Sequence, residues 1–244
     1  MASKRTLAPA DQLSLLLLEQ NYRRRPHDYF GWMLDAILSG MPLSESDVPK
    51  EEQARMTDIL AAYEQAVKTE LPFTDILGPV YMNLASHGSR DMLGQYFTPF
   101  HIATMMAKMS LMDIRPGSND GKLWRALDPT CGSGVMMLCA AQHVLTTLGA
   151  SELRHWSFTG VDLDSVCARM FAVQFFANVA IHGIEIGEVL CLQGNALATP
   201  DEWRTVLHMT HAEQEPTPVA AIAGQINRAG AASLEQLELF KEAA

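Results

Sequence analysis

Basic residues, cysteine and long apolar runs are all in short supply in this 244-residue chain. Lys and Arg number 18 against 28 Asp and Glu, for a formal net charge of −10. A chain that grips duplex nucleic acid unaided carries a basic face, and the one compact basic cluster here is Arg23-Arg24-Arg25, which reads as a solvated helix end. The four cysteines, Cys131, Cys139, Cys167 and Cys191, have no metal-ligand spacing and are too few for a disulfide scaffold, so reduced buried thiols are expected. No apolar run approaches the ~20 residues that a bilayer span needs. None of signal-peptide length follows Lys4 and Arg5, so a cytoplasmic protein without a membrane span is expected. Of the 12 prolines no two adjoin, and none follows an asparagine. What is abundant is the material of a packed core: 48% hydrophobic against 19% charged residues excludes a disordered or fibrous chain.

Up to about residue 113, apolar positions recur at three- and four-residue spacing, which predicts helices. Pro26, the Gly40–Pro49 stretch and Pro72 punctuate them. The expected helices are Pro9–Arg25, His27–Ser39, Pro49–Glu70 and Phe73 to about His87. After Asp120-Gly121 short apolar runs alternate with longer periodic ones, the pattern of strand–helix–strand units. Strands are expected at Leu123–Leu127, Trp156–Val161 and Glu188–Gln193, with helices at Val135–Leu148 and Ser165–His182. Thr199-Pro200-Asp201-Glu202 has the letters of a capping box with proline at the first helical position, which predicts a helix over Pro200–His211 instead of a fourth strand. Three strands would leave the first at the sheet edge, to be covered by the Val219–Ala244 tail or by a partner chain.

The strongest local signal is Asp128-Pro129-Thr130-Cys131-Gly132-Ser133-Gly134, directly after a strand and before a helix. Gly132 and Gly134 allow a ligand close to the backbone, and the helix start at Val135 aims N–H groups at its polar atoms. No Gly-Lys-Ser/Thr follows, so this is not a phosphate-cradling loop. The second strand ends in Gly160-Val161-Asp162-Leu163-Asp164. A carboxylate at that tip suits the two hydroxyls of a ribose, which favours Asp162 as a ligand residue and leaves Asp164 as the cap of the next helix. The third ends in Gly194-Asn195-Ala196-Leu197, where Asn195 offers both donor and acceptor to an adenine edge. The carboxyl ends of three parallel strands thus make a candidate nucleoside pocket. Met105, Met106, Met109 and Met112, at helical spacing, read as core packing, and His208 with His211 lacks a third ligand for a metal.

With Gly94-Gln95-Tyr96-Phe97-Thr98-Pro99, these segments resemble motifs X, I, II and III of the gamma-class adenine-N6 DNA methyltransferases, above all the modification subunits of type I restriction-modification systems. Order and spacing match from the N-terminal helices to Leu197. The resemblance implies an α/β fold in which a helical N-terminal domain (1–93) precedes an incomplete Rossmann-like S-adenosylmethionine-dependent methyltransferase sheet (94–213) and a C-terminal tail (214–244). It further implies that Tyr96, Phe97 and Thr98, with Asp128, Cys131, Gly132, Ser133 and Gly134, hold the methionine part of S-adenosylmethionine. Asp162 then holds the ribose, and Asn195 with Ala196 the adenine. The family's catalytic Asn-Pro-Pro-aromatic tetrapeptide is absent, and 49 residues after Asn195 are too few for the rest of such a sheet. The expectation is therefore a chain that meets DNA through a specificity subunit or a second methyltransferase subunit, or else an inactive relative that senses the cofactor or interferes with restriction. Gln236-Leu237-Glu238-Leu239-Phe240 resembles the pentapeptide by which bacterial proteins dock on the sliding clamp, and an amphipathic terminal helix explains the same letters.

Overall fold

The computed structural model describes residues 9–19, 24–86, 96–199 and 202–211. Expectations for Gly94, Gln95, Pro200, Asp201 and the tail, including the clamp-like Gln236, Leu237, Leu239 and Phe240, lie outside the described residues.

Apolar stripes build the N-terminal helices. Helix α1 (Pro9–Leu18) buries Leu13 and Leu17, α2 (Pro26–Ser39) buries Tyr29, Phe30, Met33, Leu34 and Ile37, and α3 (Gln53–Thr69) buries Met56, Ile59, Tyr63 and Val67. Pro26 opens α2 and Gly40, at φ 61°, closes it, each in the position its backbone favours. Arg55 ties the three together: its Nη2 donates to the Leu16 carbonyl at 2.8 Å while the guanidinium lies 4.4 Å over the Tyr29 ring. Arg24 similarly lies over Trp32. Two more helices follow, α4 (Leu77–Ser86) and α5 (Phe100–Ser110).

Three of these helices depart by several residues from their expected bounds. α3 starts at Gln53, not at Pro49, because Lys50–Glu52 form a separate 3-10 turn. α1 stops at Leu18, short of the predicted Arg25. α4 starts at Leu77, not at Phe73, because Phe73 sits at φ 64°, outside the right-handed helical region. Its N–H donates instead to Asn178 Oδ1 at 2.6 Å.

The second half is a four-stranded mixed sheet in the order β1 (Trp124–Asp128), β2 (Trp156–Asp162), β3 (Glu188–Gln193), β4 (Arg204–Thr210). β1, β2 and β3 are parallel, joined by α6 (Val135–Leu148) and α7 (Ser165–His182). The near-continuous burial of β2 and β3 is what a strand covered on both faces shows. The fold is thus α/β with an N-terminal helical part.

β4 corrects the expected helix over Pro200–His211. It runs antiparallel to β3, with Glu188 opposite Thr210 and Gln193 opposite Arg204. Thr205, Leu207 and Met209 are buried and alternate with more exposed neighbours, a period of two that outweighs the capping letters. Those letters make only a turn, in which the Glu202 N–H meets the Thr199 carbonyl at 3.0 Å.

One face of the sheet carries Phe158, Val189, Cys191, Leu207 and Met209 into a core shared with the N-terminal helices. α7 lies at its centre: α2, α3 and α4 pack on it from one side, and β2, β3 and β4 from the other. Its length and mean hydropathy of 1.2 would suit a membrane span, yet that apolar surface is spent inside the molecule. The opposite sheet face is thinner, with Val161, Leu190 and Leu192 covered by Ala196 and Trp203. Beneath β1 that face is bare among the described residues, and Leu127 is 59% exposed. Among the described residues, nothing pairs with the outer edge of β1.

The methionines are a second correction. Met105, Met106, Met109 and Met112 are exposed, between 43% and 74%, and not core. α5 turns Ala103 and Ala107 toward Val135 and Cys139 of α6, so the methionine stripe is left on the outside. Met105, Met109 and Met112, with His101, Thr104 and Lys108, line a shallow cavity of about 430 Å³.

Phe175 is the point where the two halves meet: its ring lies 5.9 Å from Phe73, 5.6 Å from Phe158 and 4.8 Å from Phe171. Phe175→Ala is expected to lower unfolding free energy by about 3–5 kcal/mol, and wild type and variant are each expected to unfold in a single transition, followed by circular dichroism against urea.

Candidate functional site

Parallel strands deliver their carboxyl ends to one edge of the sheet, and here three hydrogen bonds stitch those ends together. Cys131 N–H donates to the Val161 carbonyl at 2.9 Å, Gly132 N–H to Asp162 Oδ2 at 2.8 Å, and Gly194 N–H to the Asp162 carbonyl at 2.8 Å. Asp162 is therefore in contact with the loop after β1 and the turn after β3 at once. Its Oδ1 accepts from Asp164 N–H at 2.9 Å, while Asp164 Oδ1 accepts from Val166 N–H at 2.8 Å as the cap of α7. The two acids do different jobs. A carboxylate has about four acceptor positions; the two bonds to Asp162 leave room for a pair of donors on a ligand.

The loop between β1 and α6 keeps its shape through two left-handed glycines, Gly132 at φ 55° and Gly134 at φ 95°. Space demands glycine as well. A Cβ on Gly134 would lie 2.8 Å from Phe171 Cδ2, and one on Gly160 would lie 2.7 Å from Phe171 Cε2. A Cβ on Gly132 would lie 3.0 Å from the ring of Phe97, which stacks on Tyr81 at 5.7 Å and 28°. Phe97 thus closes one side of the loop. Thr98 is half-buried beside it, whereas Tyr96 is 84% exposed and stands away from the core.

Burial pushes the Asp128 carboxyl up; its bond from Thr130 N–H, at 3.0 Å, opposes this and the charge of Asp162 adds to it. Burial likewise raises the thiols of Cys131, Cys139, Cys167 and Cys191. All four are free and buried. Thiolate chemistry is not what these cysteines offer.

Asn195 and Ala196 occupy the turn after β3. Asn195 is exposed, its Oδ1 accepts from Leu197 N–H at 3.0 Å, and its carbonyl accepts from Trp203 Nε1 at 2.8 Å. Part of its polar capacity therefore goes to shaping the turn. Gly194 is required there because a Cβ would meet Trp203 Cδ1 at 2.5 Å.

His208 and His211 are not on a helix. His208 Nε2 lies 3.1 Å from Glu188 Oε1, which sits on β3, and His211 lies 3.7 Å from Glu185. Among the described residues, no group of three or more His, Cys, Asp or Glu side chains is placed to hold a metal.

Sequence reasoning passed over several residues around the site. Asp75, Gln174 and Asn178 are buried and polar, and Trp203 braces the third turn. A signal existed for the first three. Gln174 and Asn178 are polar letters four apart in an otherwise apolar helix, and Asp75, Gly78 and Tyr81 recur every three residues.

Residues 73–214 match the model of a family described as N-6 DNA Methylase. Over 151 residues the chain is 23% identical to the type I restriction enzyme MjaVII methylase subunit of Methanocaldococcus jannaschii, an alignment covering 61% of this chain and 23% of that protein. The chain therefore spans about a quarter of the curated relative it matches. Among solved structures it is similar to a protein from Listeria monocytogenes described as a class I S-adenosylmethionine-dependent methyltransferase, at TM-score 0.48 and 13% identity, covering 90% of this chain and 63% of that one. It is also similar to the methyltransferase subunit of a type I restriction-modification system from Streptococcus thermophilus, at TM-score 0.36 and 17% identity, covering 85% of this chain and 45% of that one.

The glycine geometry yields a test with opposite signs. Gly134→Ala should destabilise by about 2–4 kcal/mol through backbone strain and the clash with Phe171. Gly31→Ala, inside α2 where a Cβ meets nothing within 4 Å, should stabilise by about 0.5–1 kcal/mol. Urea midpoints of the two variants at unchanged m would check both.

Proposed function

The chain belongs to the N-6 DNA methylase family, and from that premise we propose that it binds S-adenosylmethionine at the carboxyl edge of β1, β2 and β3. It would serve as the cofactor-holding part of a DNA adenine methylase of the type I restriction-modification kind. The observation that carries this reading is the position of Asp162. One carboxylate reaches the glycine loop and the start of α7 together and keeps acceptor capacity for ribose hydroxyls. Gly132 and Gly134 leave the loop without side chains on the approach of the methionine part, Phe97 bounds it, and the first turn of α6 has N–H groups with no acceptors of its own helix. The donor set suits a zwitterionic amino acid joined to a nucleoside.

Methyl transfer to adenine needs the extruded base held in line with the methyl group, and positioning supplies most of the acceleration for such a step. No Asn-Pro-Pro-aromatic segment exists in this chain to do so. Another polypeptide is therefore proposed to bring the catalytic tetrapeptide and target recognition. The net charge of −10 agrees with duplex contacts made by that partner. The outer edge of β1, unpaired among the described residues, the exposed Leu127 and the outward methionines of α5 are surfaces that such a partner would cover. The absent tetrapeptide equally favours a second reading, an inactive homologue that senses the cofactor or interferes with restriction.

Calorimetry is expected to give measurable S-adenosylmethionine binding, weakened about tenfold or more in Asp162→Ala, the loss typical of a buried polar partner removed. Equal affinities would remove the ribose assignment, and no binding at millimolar cofactor would remove the site. In a radiolabel assay the purified chain alone is expected to transfer no methyl group to duplex DNA. Labelled adenine without a second protein would overturn the division of labour, and activity restored by a partner carrying the tetrapeptide would reject the inactive-homologue reading.

A further inference from the structure

Behind the loop, on the side away from its open face, lies a polar cluster that the proposed cofactor contacts do not use. Asp75, 8% exposed, stands between α3 and α4. Its Oδ1 accepts from Gly78 N–H at 2.9 Å and from Gln174 Nε2 at 2.8 Å, and its Oδ2 accepts from Ser133 Oγ at 3.0 Å. Gln174 Nε2 also donates to the Ser133 carbonyl at 2.8 Å, while its Oε1 accepts from Ile76 and Leu77 N–H at 2.8 and 3.1 Å. Ser133, wholly buried, is therefore gripped by its hydroxyl and by its backbone.

The approach is as close as backbone allows. A Cβ on Gly78 would lie 2.3 Å from Asp75 Oδ2 and 2.8 Å from Ser133 Oγ. Three residues further along α4, Tyr81 holds Phe97 against Gly132. Asp75, Gly78 and Tyr81, one every three residues, thus engage the loop at two points.

Ser133 is flanked by Gly132 and Gly134, both at positive φ. Such residues are the pivots about which a loop leaves its conformation, and a loop that must be ordered when a ligand arrives binds it more weakly. A buried carboxylate is also a costly way to fill space; three donors aimed at it make sense where a particular geometry has to be kept.

We infer that Asp75 is a positioning residue that locks the glycine loop through Ser133, so that affinity for the amino-acid part of the cofactor depends on the docking of the 73–86 segment. This rests on the proposed cofactor site. Asp75 touches no ligand in this scheme; it acts by removing the loop's alternatives before binding.

The test uses the full chain with Asp75→Asn, Ser133→Ala and the double variant. Each single change is expected to weaken S-adenosylmethionine binding on the order of tenfold, as for loss of one buried hydrogen bond, and the double change to weaken it no more than the stronger single one. Adenosine, which lacks the part the loop would hold, should bind all variants and wild type alike. Hydrogen exchange at residues 130–134 of the ligand-free protein should be faster in every variant. Additive penalties, an equal loss for adenosine, or unchanged loop exchange would each overturn the inference and leave Asp75 a purely structural group. If Asp75→Asn fails to fold, Ser133→Ala with adenosine as control decides the question alone. If wild type binds neither compound, the proposed function fails, and loop exchange in Ser133→Ala still decides whether the clasp exists.

Discussion

Everything at the carboxyl edge of the sheet depends on how closely Phe171 lies beneath two glycines. Its ring leaves no room for a Cβ at Gly134 or Gly160, so α7 sits directly under both the loop after β1 and the end of β2. The same helix carries Phe175 into the core shared with the N-terminal helices, and Gln174 and Asn178 to the backbone of residues 73–77. Interiors are close-packed and transmit displacement. A shift of α7 would therefore move the loop, the strand tip and the N-terminal segment together.

Polar satisfaction follows the same route. Segment 73–76 runs through the interior without regular secondary structure before α4, and its N–H groups and those of the first turn of α4 would be stranded. Two carboxamides on α7, four residues apart and so on one side of the helix, accept from Phe73, Ile76 and Leu77. Asp75, whose carboxyl is pushed up by burial and drawn back down by its bonds from Gln174, Gly78 and Ser133, completes the arrangement. The helical part and the sheet are joined by hydrogen bonds as well as by apolar contact, which explains how a mostly helical segment comes to bear on a loop of the sheet domain.

The other side of the molecule is as informative for what it leaves open. β1 carries no neighbour on its outer edge among the described residues, Leu127 faces outward, and α5 with the turn after it presents four methionines to the surface. Monomers seldom leave a stripe of apolar side chains such as these methionines exposed without use.

Much of this was legible locally. The periodicity of Val135–Leu148 and Ser165–His182, the glycine turn at 132–134, the acid pair Asp162 and Asp164 and the three parallel strands are set by residues close in sequence, through helical spacing, φ preference and side-chain capping. The tertiary structure alone decided the rest. Residues 204–210 became β4 because the free edge of β3 offered a ladder to alternating letters that a capping box had assigned to a helix. The methionines of α5 turned outward because Ala103 and Ala107 were taken by α6. Asp75 met Ser133 across 58 positions and Gln174 across 99. Local propensity acts over a turn of helix or a pair of strand residues; who packs against whom at such separations is settled only when burial and hydrogen bonding are satisfied for the whole chain at once.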